Sequence, residues 1–341
     1  MANKAVFHAV HETCCRCMDE NLLFGGKVVV LLGDFRQTAP VIRGGTRHQL
    51  IDASIKSSPL WPSVCVMTLT EPIRNTCDLE YATFVDDIGE GRLEAMPLNM
   101  FKCTTTPTDI IDFVYPRHIL DQPLALNSRA ILAATNHQVD LYNDQILQML
   151  PGNSHFYMSA NSLKEAEDND MLETSGILDY VARHSPHGMP AHSVQVKIGG
   201  VYRLLRNFSV ERGLVKNARV LISGLGNHII AVRLLEVNTT DFSPDPDNDI
   251  LIPRICFTSD LPSGHTLLCR QFPLGPSYAT TFNSCQGLTL SFAGIDLTYN
   301  VFSYGQLYTA LSHIKHRDHL MIRLHDLSST VPNVTLTELL L

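Results

Sequence analysis

This chain of 341 residues has no long apolar segment; its most strongly apolar run, Val28 to Leu32, is far too short to span a bilayer. The first fifteen residues, MANKAVFHAVHETCC, hold no extended apolar core, so no secretory signal is expected. Charged residues are scarce at 18%, and the formal net charge is -8. Bulk attraction to a polyanion is excluded, and any nucleic-acid contact has to come from a local basic surface. The cysteines number nine, an odd count that argues against a disulfide framework and for a reducing, intracellular setting. No Ser/His/Asp order and no paired-carboxylate pattern stands out. A phosphate-cradling G-x-x-x-x-G-K-S/T loop is missing too: Gly26-Lys27 is followed by Val28. No Asp-Glu pair ends an apolar strand.

What is there describes a globular protein. An apolar content of 45% supports a sizeable core, and the length suits about two to three domains. Residues 1–24 predict a helix with Val6, Val10, Cys14 and Met18 on one face, broken by Gly25-Gly26. VVVLLGDF then reads as a central parallel strand buried on both faces, and Val64 to Thr70 as a second strand. A helix is expected from Asp78 to Ile88, stopped by Gly89 and Gly91. Ala130 to Ala134 reads as a buried strand. Thr135-Asn136 caps an amphipathic helix that closes at Pro151-Gly152. Strand, cap, helix is the α/β pattern.

The character then changes. Glu165 to Glu173 reads as an acidic, solvated loop, and Ser243 to Asp249 as a turn-rich one. Between Val194 and Val237, short alternating runs predict a small β-barrel or a set of hairpins. From Lys197 to Arg233 there are seven Lys or Arg and one acid, Glu211. That is either a basic surface for a phosphate backbone or a solvated barrel face. The α/β character returns with Ala293 to Leu297 and a helix from Ser303 to His313. There is no internal repeat.

Four stretches carry chemistry. GDFRQTAPV, Gly33 to Val41, sits at the end of an apolar run, where open α/β sheets bind ligands; the alternative is a plain strand end with a turn. Gln37 is suited to sensing a terminal phosphate. Asp34 is no Walker B carboxylate, because Phe35 follows it. LTEPIRNTCDLEYATFVDDIGEG, Leu69 to Gly91, carries Arg74 after a predicted strand, where an isolated arginine reads as a surface ion-pair partner. FPLGPSYATTFNSCQGLTL, Phe272 to Leu290, reads as a strand entering a polar loop and then heading for a helix. Thr280, Thr281, Asn283, Ser284 and Gln286 crowd that loop, and Gly287 lets backbone approach a ligand. GQLYTALSHIKHRDHL, Gly305 to Leu320, is a helix presenting Leu307, Ala310 and Leu311 inward. His8, His11, Cys14, Cys15 and Cys17 fall on one helix and cannot close a tetrahedral metal site; His313, His316 and His319 straddle a helix end. No structural metal is expected.

These stretches resemble motifs three to six of the Pif family of superfamily-one 5′→3′ DNA helicases, in its Helitron-transposon form. The resemblance covers nearly the whole chain. It implies an α/β fold with a partial RecA-like motor domain (1–70), a second RecA-like motor domain (71–155 and 272–325), a small β-barrel-like insertion that grips DNA (156–271), and a tail (326–341). By resemblance, Gln37 and Arg74 lie on the γ-phosphate, and Gly33, Asp34, Gln286 and Gly287 lie by the nucleotide. Thr281 and Asn283, with Arg203, Arg206 and Lys216 of the insertion, lie on single-stranded DNA.

The family departs from this chain in places. It reads Ala-Leu-Ser-Arg, with the arginine as finger on the γ-phosphate, where this chain has His313; loss of a finger costs roughly 10³–10⁵ in rate in related enzymes. Pro72 and Ser284 replace polar and lysine residues of relatives. Asn217-Ala218 stands where relatives have Asn-Gly, so a tight turn there would be strained. The resemblance implies ATP and Mg²⁺ as cofactors, single-stranded DNA as partner and a nuclear location, with the mitochondrion as alternative. With the P-loop and Asp-Glu stretch missing, the chain is expected to begin partway through the first motor domain. It is then expected to be catalytically inactive alone. The alternative is a non-catalytic single-stranded nucleic-acid-binding module.

Overall fold

The computed structural model describes residues 2–340 apart from 41, 43, 165–176, 178–187, 236–248, 262 and 327. The acidic stretch 165–173 and most of the loop 243–249 therefore lie outside the described residues. The chain forms two compact units. One holds residues 1–110, 132–136 and 280–341, the other residues 111–131 and 137–279.

The first unit is α/β. Strand Phe292–Asp296 runs parallel to Leu320–Arg323, which runs parallel to Lys102–Thr104. The helix Gln306–Ser312 lies between the first two in sequence, which makes a β-α-β unit. Its parallel strands need cover on both faces, and Ala293, Ile295, Leu320 and Ile322 are fully buried. Asp296 ends its strand fully buried, and its carboxylate takes a 2.9 Å bond from Arg323 and bonds from the Thr298 amide and hydroxyl. The helix Leu79–Gly89 is capped by Asp78, whose carboxylate accepts from the Tyr81 amide, close to the expected bounds.

Two expected strands are not formed. Residues 27–34 and 64–70 carry no strand. Val28 is 94% exposed and Leu32 92%, while Val29 and Leu31 are 38% and 43%. Met67 and Leu69 are exposed as well. A strand is stabilised by its ladder, and among the described residues no strand pairs with either run. The first helix also differs. It spans Lys4–Cys17, and Val6, Val10 and Met18 point to solvent. The covered stripe is one residue round: Phe7 packs on Phe24 with ring centroids 5.4 Å apart, and His11 accepts from the Phe24 amide. Gly25, at φ +60°, passes so close to Cys14 that a Cβ would lie 2.4 Å from its carbonyl. The residues after 325, expected as a tail, are ordered in part: strand Thr330–Pro332 pairs with Ala95–Pro97, and Leu336 and Leu339 pack on Ala39.

The second unit holds the helix Asn136–Met149 from His137 onward, with Val139, Tyr142, Ile146 and Leu147 buried at helical spacing. Its β part follows the expected hairpins. An antiparallel sheet runs in the order Ile250–Pro253, Ile229–Leu234, Arg219–Leu225, Val201–Leu204, Leu274–Pro276. A three-stranded and a two-stranded sheet complete it. Asn217 adopts φ +71°, the left-handed conformation that asparagine tolerates better than most residues, so the turn forms without glycine.

Candidate functional site

Three of the four chemistry-bearing stretches interlock in the first unit, and the fourth braces them. Asp34 is the centre of the first contact. Its Oδ1 accepts from the Arg36 amide at 3.0 Å and from Arg36 Nε at 3.1 Å. Its Oδ2 accepts from the Tyr308 hydroxyl at 2.7 Å. Arg36 also donates to Asp86 at 2.6 Å, and its guanidinium lies over the Tyr308 ring at 4.8 Å. Burial works against the Arg36 charge, but Tyr308, Asp34 and Asp86 outweigh it and push its pKa up. Burial, then the Asp34 carboxylate, pushes the Tyr308 phenol up. Gly305, at φ +71°, makes the close approach possible, since a Cβ there would sit 2.5 Å from the Arg36 carbonyl oxygen.

The second contact joins the polar loop. The expected strand is present as Ala279–Thr281, but one turn of 3-10 helix, Phe282–Cys285, follows it in place of an α-helix. Gln286 Nε2 donates to Thr38 Oγ1 at 2.8 Å, and the Thr38 amide donates to Thr309 Oγ1 at 3.2 Å. Thr309 in turn donates to the Gly305 carbonyl. Gln306 donates to Asn283. Thr281 donates to Ser284 at 3.0 Å. Asn283, Gln286 and Gly287 are exposed, and the space beside Gly287 is open. Gln37 is half-buried, and its backbone N–H donates to the Asp34 backbone carbonyl.

Arg74 and His313 meet at the other end of the helix Gln306–Ser312. A helix end leaves its last carbonyls without partners. Here side chains from one short segment supply them: Arg74 donates to Ser312, Tyr81 to Leu311, and Asn75 to Ile314 and Lys315. A cation at a helix C-terminus is also favoured by the macrodipole. His313 is 2% exposed, and neither ring nitrogen has a hydrogen-bond partner. Burial, then the Arg74 charge, pushes its pKa down to about 4 against the pull of Asp34, so the ring is neutral at pH 7. Arg317 is held by Asp78 at 2.7 Å and by Glu80.

In the second unit the seven basic residues of 197–233 separate into two groups. Lys197 and Arg219 are structural. Lys197 donates to the Leu150 carbonyl at 2.9 Å. Arg219 donates to the carbonyls of Leu126, Asn127 and Arg129. Arg233 pairs with Asp249 at 2.6 Å. Arg203 is half-buried, and burial pulls its pKa down against the pull of Asp140. Arg206, Arg212 and Lys216 are exposed. Of the seven residues behind the expected local basic surface, Lys197, Arg219 and Arg233 do not contribute to it, because the fold itself uses their charges. Among the described residues no group of three or more His, Cys, Asp or Glu is placed to hold a metal.

Sequence reasoning missed Arg36, Thr38, Asp86, Gln306, Tyr308 and Thr309. All six lie inside the quoted motifs. For Gln306, Tyr308 and Thr309 the signal was polar side chains on a helix whose face was assigned by its apolar residues alone, whereas Arg36 and Thr38 lie in the loop on either side of Gln37.

Residues 1–97 match the model of the PIF1-like helicase family. The ATP-dependent DNA helicase PIF1 of Xenopus laevis is 28% identical over 305 residues, which is 88% of this chain and 41% of that protein. The chain thus spans about two fifths of the length of the curated relatives it matches. Its fold is that of the Pif1 helicase from Candida albicans, with a TM-score of 0.66 at 19% identity, over 100% of this chain and 73% of that one. Bacteroides Pif1 bound to ssDNA gives 0.65 at 18% identity, over 96% and 69%. The chain is thus similar to PIF1-like helicases by family model over residues 1–97, by curated relatives and by fold, and that fold is the mixed α/β, RecA-like one of the Pif1 structures. No helix among the described residues is long and apolar enough to cross a membrane.

Proposed function

We propose that this chain carries the later motifs of a PIF1-type, ATP-dependent 5′→3′ DNA helicase of the Helitron kind, and that alone it neither turns over ATP nor unwinds DNA. The observation that carries this is the interlock of the Asp34–Thr38 loop, the Asn283–Gln286 loop and the helix Gln306–Ser312. By resemblance, the first and second of these lie by the nucleotide and the second also lies on the DNA strand. The domain assignment goes with it: residues 1–70 from one motor domain, 71–155 and 272–325 from the next, and 156–271 as the inserted DNA-gripping part.

ATP and Mg²⁺ belong to the family reaction, but the residues present do not fit a triphosphate as they stand. Both oxygens of Asp34 are engaged, Arg74 is tied to the Ser312 carbonyl, and His313 is neutral and buried. Gln37, Gln286 and Gly287 remain as candidates beside a nucleotide. The test is ATP turnover by the purified chain with and without oligo-dT. Turnover stimulated by single-stranded DNA would overturn the inactive reading.

The second reading is a non-catalytic nucleic-acid-binding module. It is favoured by the exposure of Asn283, Arg206 and Lys216, while Arg74, assigned to the γ-phosphate by resemblance alone, is used inside the fold. It predicts salt-sensitive binding to oligo-dT without nucleotide.

A further inference from the structure

An asparagine amide offers a donor at one end and an acceptor at the other, and which end faces out decides what it binds. In this chain that choice is made two steps away, by backbone. Gln306 is 1% exposed. Its Oε1 lies 3.2 Å from the amide nitrogen of Phe302 and 3.2 Å from that of Ser303. Backbone N–H groups only donate, so the oxygen end of Gln306 is assigned without ambiguity; the reversed amide would set donors against two donors. The nitrogen end of Gln306 therefore points the other way, and Nε2 donates to Asn283 Oδ1 at 3.3 Å. With its oxygen held, the exposed Asn283 offers its Nδ2 hydrogens to solvent.

From this chain of donors and acceptors we infer that Gln306 is a positioning residue that makes Asn283 a dedicated hydrogen-bond donor, suited to a phosphate oxygen of a nucleic-acid backbone. The inference rests on the proposal that Asn283 lies on single-stranded DNA, and it deepens that proposal. A donor-only contact to phosphate carries no base information, so the loop holds the strand without regard to sequence. Gln306 itself touches no ligand.

The test is fluorescence anisotropy of labelled oligo-dT on the full chain at low salt. Asn283→Ala removes the donor and is expected to weaken binding about tenfold, the scale of one hydrogen bond to a charged group. Gln306→Glu keeps the acceptor for Phe302 and Ser303 but turns an oxygen toward Asn283. The asparagine then flips and shows its own oxygen to the phosphate, so binding falls at least as far. In the Asn283→Ala background, Gln306→Glu is expected to change nothing further. A through-space effect of the new charge would persist there, and that result would overturn the inference.

Gln306→Met is neutral and of similar volume, and covers a poorly folded Gln306→Glu. It releases Asn283, so binding falls by a smaller factor, again only when Asn283 is present. Weaker binding by Asn283→Ala beside wild-type binding by both Gln306 variants removes the inference and leaves the DNA contact standing. Wild-type binding by Asn283→Ala removes the contact itself, and the inference with it.

Discussion

The Tyr308 hydroxyl donates to the Asp34 carboxylate at 2.7 Å, across 274 positions of sequence. This one bond ties the loop after the exposed apolar run to the last motif helix. The same carboxylate also holds Arg36, so neither side of the contact is left without a partner. Tyr308→Phe keeps the ring under the Arg36 guanidinium and removes only the hydroxyl. It is expected to cost about 1–2 kcal/mol, measured by urea unfolding. An unchanged midpoint would show that the bond is not kept in solution.

His313 makes stability depend on pH. Its folded pKa of about 4 lies below the ordinary 6.5, so the unfolded chain binds more protons in between. The neutral ring's contribution is complete above pH 6.5 and is lost as pH falls toward 4. The full effect is roughly 3 kcal/mol. His313→Leu should flatten that slope when unfolding is followed across the window; an unaltered slope would place the titration elsewhere.

Restoring the family arginine at this position is expected to fail. His313→Arg would bury a second guanidinium beside Arg74 in a site 2% exposed. An unpaired buried charge costs several kcal/mol, of the order of 3–5. Thermal melts should show the loss, and a stable His313→Arg chain would mean that the helix end opens readily.

Arg219 should matter for folding and not for DNA. It gives charged donors to the carbonyls of Leu126, Asn127 and Arg129. Arg219→Met is expected to lower stability by about 2–3 kcal/mol. Charge reversal at Arg206 and Lys216, both exposed, should leave the melt unchanged and weaken oligo-dT binding equally for all sequences. The opposite pattern would overturn the division of the basic residues made above.

The exposed run Val28 to Leu32 should bind a hydrophobic dye such as ANS. Val30 is 72% exposed, so Val30→Lys is expected to change stability by less than about 0.5 kcal/mol while dye fluorescence and aggregation fall. Unchanged dye binding would mean that the run is covered in solution.

What the sequence determined by itself was whatever a short window can encode. The apolar spacing of Val139, Tyr142 and Ile146 specifies a helix, and the alternation in 193–234 specifies hairpins, because each pattern follows from local backbone geometry. The motif loops were legible for the same reason, as runs of particular side chains in order. Tertiary structure alone decided what depends on a distant partner. Val28 to Leu32 is as apolar as a central strand, yet without a neighbour's ladder it forms no strand and is exposed. Lys197 and Arg219 look like surface cations until the carbonyls they satisfy are brought to them from 47 and 93 residues away. Arg74 and His313 were singled out for phosphate, and the fold spends one on a helix end and closes over the other. The direction in which Asn283 points was set by two backbone amides at Phe302 and Ser303, through a glutamine that local sequence shows only as one more polar residue on a helix.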